Sequence, residues 1–408
     1  MPEENALDNV RPWRFGILVA PNAILINGIF SGVLSGLLRQ QGVSEDRIGL
    51  EISIITLPSV IYLLWGPITD FIFRRRTWVI IGSLLGGLLT ASAFLTRHLA
   101  ATPAVLLMFL AAVCVQLLPA ALGGLMGNIS SAVARRKASG YYQATSLMSS
   151  SLITGGVLLA SKHLSVASIG LSVGAVVALL ALPALTIPEP AYQPHPDGLK
   201  KALVEIVHEF RATIVRWEAL PYIALLAAPI SSGAIMSLMP GLAPDYNVST
   251  EQVAWINGFG GGVLVALGAY VVTLLPRSVR ATRYYIAFGL LNAGSLLFLW
   301  LGPQSPISYF ISAPLYLFTI GASYALFTAV LLDVMGRSGR SGSTRYGILN
   351  GLGNIPPVYM PALDGLGYKL WGPRGLSAME AVVCAAASLG IWLWLAIAER
   401  NSTPSQHA

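Results

Sequence analysis

The sequence predicts an all-α integral membrane protein of twelve transmembrane helices, arranged as two six-helix halves. Three observations carry that prediction: the composition, a series of apolar runs of spanning length, and the alternation of basic residues between the ends of those runs. Of 408 residues, 55% are hydrophobic and only 11% are Asp, Glu, Lys or Arg, less than half the ~25% charged content of soluble domains. Such a composition excludes a soluble enzyme, and its apolar content excludes a disordered chain. The net charge of +7 is divided into short clusters between apolar runs. It therefore marks orientation in a lipid bilayer and forms no nucleic-acid-binding surface.

A helix needs ~20 apolar residues to cross the hydrocarbon core. The first run, 15–38, follows Arg11 and Arg14 and has no small-residue cleavage site behind it, so it is expected to span rather than to act as a leader. Run 48–69 follows Ser44, Glu45 and Asp46, a helix start with acids in the first turn. Runs 78–96 and 105–126 follow, then 141–160, which carries a polar stripe, and 166–186. After the polar stretch 188–218 come 219–242, then 253–275 behind the Ser249 helix start, 284–301, 307–332, the proline-interrupted 346–366, and 376–398. None of these is short and alternating, which excludes a membrane β-barrel. With both termini cytoplasmic, the inner loops hold 19 of the 25 Lys and Arg, and the outer side holds six: Arg39, Arg47, Arg97, Lys162, Lys369 and Arg374. The excess alternates loop by loop, as inner loops require.

The expected organisation is a six-helix half over 1–187, a cytoplasmic linker over 188–218 with a surface-lying amphipathic part, a second half over 219–400, and a tail over 401–408. One offset of 205 relates Val43–Ile48 to Val248–Val253, Arg75 to Arg280 and Tyr141 to Tyr346. A shared offset across three loops indicates duplication, and parallel six-helix repeats describe the major facilitator architecture.

Several motifs sharpen that resemblance. Gly66 and Asp70, followed by Arg74, Arg75 and Arg76, resemble the major facilitator loop motif, although Phe73 stands where the family carries glycine. The resemblance implies a conformational latch to which Asp333, at another inner helix end, would also belong. Trp65, Pro67, Asp70 and Trp78, with 139–144 and 342–350, resemble the AmpG-like branch of muropeptide and acetyl-coenzyme A permeases. That branch implies proton-driven import of a bulky polar solute across the bacterial inner membrane by alternating access. Its solutes are anhydromuropeptides, or ferric siderophores in a related subgroup, and the sequence does not choose between the two. No Lys or Arg lies within any span, which argues against acetyl-coenzyme A as the solute.

Three acids fall inside the spans: Glu51, Asp364 and Glu380. Intramembrane acids are candidates for proton coupling. Glu51 and Glu380 sit in first helical turns, where an acid also complements the dipole, whereas Asp364 sits at a helix C-terminus, where the dipole opposes it. Candidate solute-binding residues are Asn22, Asn27 and Ser31 in span 1, Gln116 in span 4, and Gln143, Ser146 and Ser150 on one face of span 5. Tyr324 in span 10 and Asn350 and Asn354 in span 11 complete the set. The same polar stripes serve equally to glue helices together. Cys114 and Cys384 lie in apolar runs, and the five histidines lie in loops or the tail without metal-ligand spacing. No cofactor, metal or enzymatic activity is expected, since the spans show no paired carboxylates in sequence. The expected partners are a small-molecule solute, the proton gradient and the bilayer. One chain carries both halves, so a monomer is expected. A receptor that binds its ligand without carrying it is the rival of another class.

Overall fold

The computed structural model describes residues 10–65, 69, 73–127, 129, 132–188, 204, 220–276, 278–335 and 349–402. The linker 189–218, apart from residue 204, the tail from 403, and Gly66 and Asp70 of the loop motif lie outside the described residues. So does the side chain of Asp333. Among the described residues, twelve helices follow the order of the predicted spans and no strand occurs. They are α1 (Trp13–Gln40), α2 (45–64), α3 (Arg75–Phe94), α4 (Thr102–Gly127), α5 (Ala132–Ala160), α6 (Val166–Thr186), α7 in two pieces (Leu220–Ala227 and Ala234–Leu242), α8 (Thr250–Val272), α9 (Ala281–Leu301), α10 (Pro306–Met335), α11 (Ile355–Trp371) and α12 (Pro373–Ser402).

Eight of these are continuous, long and apolar enough to cross a bilayer. The other four are α2, α5, α7 and α11, and each departs for a local reason. The α2 helix tightens into a 3₁₀ stretch, Leu57–Leu64, with Pro58 as its second residue. The polar stripe of α5 lowers its hydropathy, α7 is broken in its middle, and α11 restarts at Ile355 after a turn at Asn354, with Pro356 in its first turn. The Ser249 start of α8 forms a full capping box with Gln252.

Among the described residues, the closest backbone packing between those before 188 and those after 218 runs along two seams. In one, α2 lies against α11: Gly49 meets the Pro361 carbonyl and Gly365 meets the backbone of Glu45 and Asp46, so neither site has room for a Cβ. In the other, α5 lies against α8, with Gly155 and Gly258 in backbone contact. Small residues permit such approach, and dispersion then holds the helices together where no hydrophobic force acts between them. A continuous buried cluster crosses from Ile29, Phe30 and Leu34 of α1 to Leu238 and Met239 of α7 and Tyr309 of α10. Leu88, Leu179 and Leu301 stay exposed on outward faces, as lipid-facing positions should.

The same end of the bundle carries a polar network across both seams. Arg39 at the end of α1 donates to Asp245 after α7, at 3.0 and 3.3 Å, and to the Tyr368 hydroxyl of α11 at 2.8 Å. Tyr368 in turn donates to Asp245 at 3.0 Å. Lys162 pairs with Glu251 at 2.9 Å, and Lys369 approaches Asp46 at 3.7 Å. Three of the six cations assigned to the outer face by the charge rule, Arg39, Lys162 and Lys369, thus tie the two parts of the chain together at one end.

Candidate functional site

Midway along the bundle a cavity of about 350 Å³ lies between the two parts of the chain. From the N-terminal part it is lined by Asn27 and Ser31 of α1 and by Thr56 and Ser59 of α2. From the C-terminal part come Ser231, Gly233 and Ser237 at the break of α7, Tyr285 of α9, Ser323, Tyr324, Phe327 and Thr328 of α10, and Asn350 and Asn354 at the start of α11. No described residue lining it carries a formal charge.

Local backbone irregularities put these side chains there. The middle of α1 is a π-helical stretch, Ala23–Phe30, followed by a turn at 31–33. Such wide turns recur at functional sites because they re-aim side chains. Asn27 is exposed to the cavity between buried neighbours. The altered register turns the flanking polar residues away: Asn22 is buried and donates to the Val115 carbonyl at 3.0 Å, and Ser35 is fully buried. In α7 the helix stops at Ala227 and restarts at Ala234 through Gly233, whose φ of 74° suits glycine. The Tyr324 hydroxyl occupies the space a Gly233 Cβ would need.

Of the residues expected to bind solute, Asn27, Ser31, Tyr324, Asn350 and Asn354 therefore line the cavity. Asn22 does not, and Gln116 stands behind it, donating to Ser59 Oγ at 2.6 Å and so positioning a lining hydroxyl. Gln143, Ser146 and Ser150 of α5 lie outside the lining, and Ser150 is satisfied by the Leu147 carbonyl within its own helix. Thr154, one turn on, donates to the Gly28 carbonyl at 3.1 Å, so this stripe fastens α5 to α1. Sequence reasoning missed Thr56, Ser59, Ser231, Ser237 and Ser323. The signal for one of them, Ser231, was the Ser231-Ser232-Gly233 triplet inside an apolar run.

Directly behind the α7 break lies a pair of acids that the sequence did not bring together. Asp364 of α11 and Glu380 of α12 are both fully buried, and their carboxyls abut. Glu380 Oε1 accepts from Ser232 Oγ at 2.5 Å and from the Tyr316 hydroxyl at 2.9 Å. Among the described residues, none donates to either oxygen of Asp364 or to Oε2 of Glu380. Ser232 Oγ also accepts from the backbone N–H of Ala234 at 3.0 Å, joining the carboxyl pair to the first turn of the second α7 piece. Glu51, the third intramembrane acid, sits elsewhere: it pairs with Arg47 of its own helix at 2.9 Å, and Arg47 is held by the Ala100 carbonyl.

At the Arg39 end, Glu45 is completely buried against Gly241 of α7, 3.9 Å from Arg39 Nε, and neither of its oxygens is hydrogen-bonded. Glu45 precedes the apolar run of α2. Burial pushes its carboxyl up to about 8; the Arg39 charge opposes that rise, while Asp245 and Asp46 add to it. At the opposite end, the basic cluster braces the N-terminal part from within. Arg75 donates to the Gly124 carbonyl at 2.9 Å and Arg76 to the Ile187 carbonyl at 3.3 Å, with Arg74 at the start of α3.

Two helical bundles enclosing a polar cavity at mid-depth, one of them with a broken helix lining it, define the architecture of a solute carrier. The model of the Major Facilitator Superfamily matches residues 18–344, and the chain belongs to that family. It is accordingly a multi-pass membrane transporter of a small-molecule solute. Among solved structures, it is similar to a D-xylose-proton symporter, with a TM-score of 0.70 and 16% identity over 93% of this chain and 95% of that one. A POT peptide transporter in complex with sulfate aligns with a TM-score of 0.69 and 14% identity over 97% and 94%. The nucleoside transporter NupG, as a point mutant, aligns at 0.65 and 14% over 95% and 98%. Identities this low show the shared fold. No curated protein matches the sequence.

Proposed function

We propose that the protein is a proton-coupled secondary transporter that imports a polar solute by alternating access of its two six-helix halves, 1–187 and 219–400. The observation that carries this reading is the Asp364–Glu380 pair, one serine away from the broken helix that lines the cavity. Two carboxyls in contact, shielded from water, present acceptor to acceptor, and a proton shared between them is the donor that satisfies both. Removing it leaves like charges in contact, which drives the pair apart or pulls donors towards it. Ser232 and Tyr316 are the donors already in place. Movement of Ser232 moves Gly233 and Ala234, which face the solute. Proton occupancy and cavity shape are thereby linked through one hydroxyl.

Alternating access requires that one end be closed while the other opens. The Arg39–Asp245–Tyr368 network and the Gly49 and Gly155 seams join the halves at the end that the charge rule assigns to the outer face. We therefore take the structure as closed to the outside, with both termini cytoplasmic in a bacterial inner membrane and the chain acting as a monomer. The AmpG-like motifs make an anhydromuropeptide the first solute to test, with a ferric siderophore as the alternative. Labelled forms of both are to be offered to vesicles carrying the protein under an imposed inward proton gradient. Accumulation that vanishes when the gradient is collapsed supports the reading. A solute that binds the protein but never crosses would instead make it a receptor.

A further inference from the structure

We propose that the central cavity selects an uncharged, hydroxyl-bearing solute about the size of one sugar or one nucleoside. This rests on the transport reading above but departs from its first choice of solute, since an anhydromuropeptide is larger and carries peptide carboxylates that the described lining does not neutralise. Asn27 and Asn350 face the cavity from opposite halves, and no described residue hydrogen-bonds either amide. The hydroxyls of Ser31 and Tyr324 are free in the same way. Each amide offers both a donor and an acceptor, and each hydroxyl can play either part, which is the complement that ligand hydroxyls and amides require. Tyr324 and Phe327 supply aromatic surface on one wall, against which the C–H face of a ring can pack.

None of the described residues lining the cavity can neutralise a charge. A carboxylate or phosphate placed there would find no cation among the described lining residues, and an ammonium would find no anion. Burial of such a group without a partner is disfavoured. The Asp364–Glu380 pair lies behind the wall and is already engaged by Ser232 and Tyr316. The first N–H of the second α7 piece, which would otherwise attract an anion, is occupied by Ser232 Oγ. A volume of about 350 Å³ lies near the lower end of the ~300–1,000 Å³ that ligand pockets span.

Matched pairs of compounds test this by equilibrium binding to the purified full chain. Methyl glucoside is set against glucuronate and glucose 6-phosphate, N-acetylglucosamine against glucosamine, and uridine against uridine monophosphate, with an anhydromuropeptide alongside. At least one neutral compound should bind, and its charged counterpart should bind at least about tenfold more weakly. Asn27→Ala and Asn350→Ala should each weaken that binding about three- to tenfold, the loss of one or two neutral hydrogen bonds. Asn27→Asp, which keeps the shape, should weaken the neutral compound and favour glucosamine. Equal or tighter binding of a charged counterpart, binding of the anhydromuropeptide alone, or no binding by any neutral compound would each overturn the proposal. Vesicle uptake separates the two readings. A neutral compound that binds but is not carried leaves the selectivity standing and removes transport, whereas proton-driven uptake of a charged compound does the reverse.

Discussion

Glu45 is expected to make the closure at the Arg39 end dependent on pH. Its carboxyl is buried between α2 and α7, and burial lifts it from an ordinary value of 4.5 to about 8 while the halves are closed. When they part at this end the group meets water and returns towards 4.5. The closed form therefore holds the proton more tightly, and its advantage is complete below pH 4.5 and lost as pH rises to about 8. At ~1.4 kcal/mol per pH unit the whole span is worth about 5 kcal/mol, and each unit within it shifts the ratio of open to closed by up to about tenfold. The charged groups facing Glu45 are Arg39 from α1, Asp245 after α7 and Asp46 on its own helix. Spin labels at Gln40→Cys and Trp371→Cys, one on each half at this end, report the separation by pulsed electron resonance. The long-distance population should grow from pH 5 to pH 8.5 and stay small throughout in Glu45→Gln, where the proton's place is taken by an amide. A distance distribution that ignores pH, or a pH response that survives in Glu45→Gln, would refute the reasoning.

Three further perturbations follow from the geometry. Gly49→Val places a side chain against the Pro361 carbonyl, so the same spin-label pair should show an open Arg39 end at every pH. Gly233→Ala forces a left-handed conformation on an L-residue, costing about 1–2 kcal/mol, and pushes against the Tyr324 hydroxyl; solute affinity should fall about tenfold while the protein still reaches the membrane. Ser232→Ala cuts the tie between Glu380 and the α7 break. In vesicles it should slow gradient-driven uptake far more than it weakens solute binding.

The order of helices was legible because lipid imposes it: runs of about twenty apolar residues leave little freedom. The break at Asn354 was legible for a similar reason, since Pro356 and Pro357 lack the N–H groups that would bond back across it and suit the first turn of a new helix. The break in α7 was not, because Ser231, Ser232 and Gly233 barely dent the hydropathy of the run that contains them. Helical spacing groups Asn22 with Asn27 and Ser31, but only the latter two line the cavity, because a π-helical stretch shifts the register between Asn22 and Asn27. Asp364 and Glu380 were each visible as acids out of place, yet their contact depends on how α11 packs on α12. Glu51 is the instructive contrast: an identical sequence signal, answered by Arg47 one turn away. The α5 stripe could have lined the cavity or fastened helices, and Ser150 and Thr154 spend their hydroxyls on backbone carbonyls.

The most direct test compares gradient-driven accumulation with exchange at equilibrium in the same vesicles, for the wild-type protein and Asp364→Asn. An amide at 364 donates permanently to Glu380, so the pair no longer needs a proton while the cavity residues are untouched. The wild type should accumulate solute under an inward proton gradient and also exchange it in the absence of one. Asp364→Asn should keep the exchange and lose the accumulation. Accumulation by Asp364→Asn at the wild-type level would show that the carboxyl pair does not couple the proton to the solute.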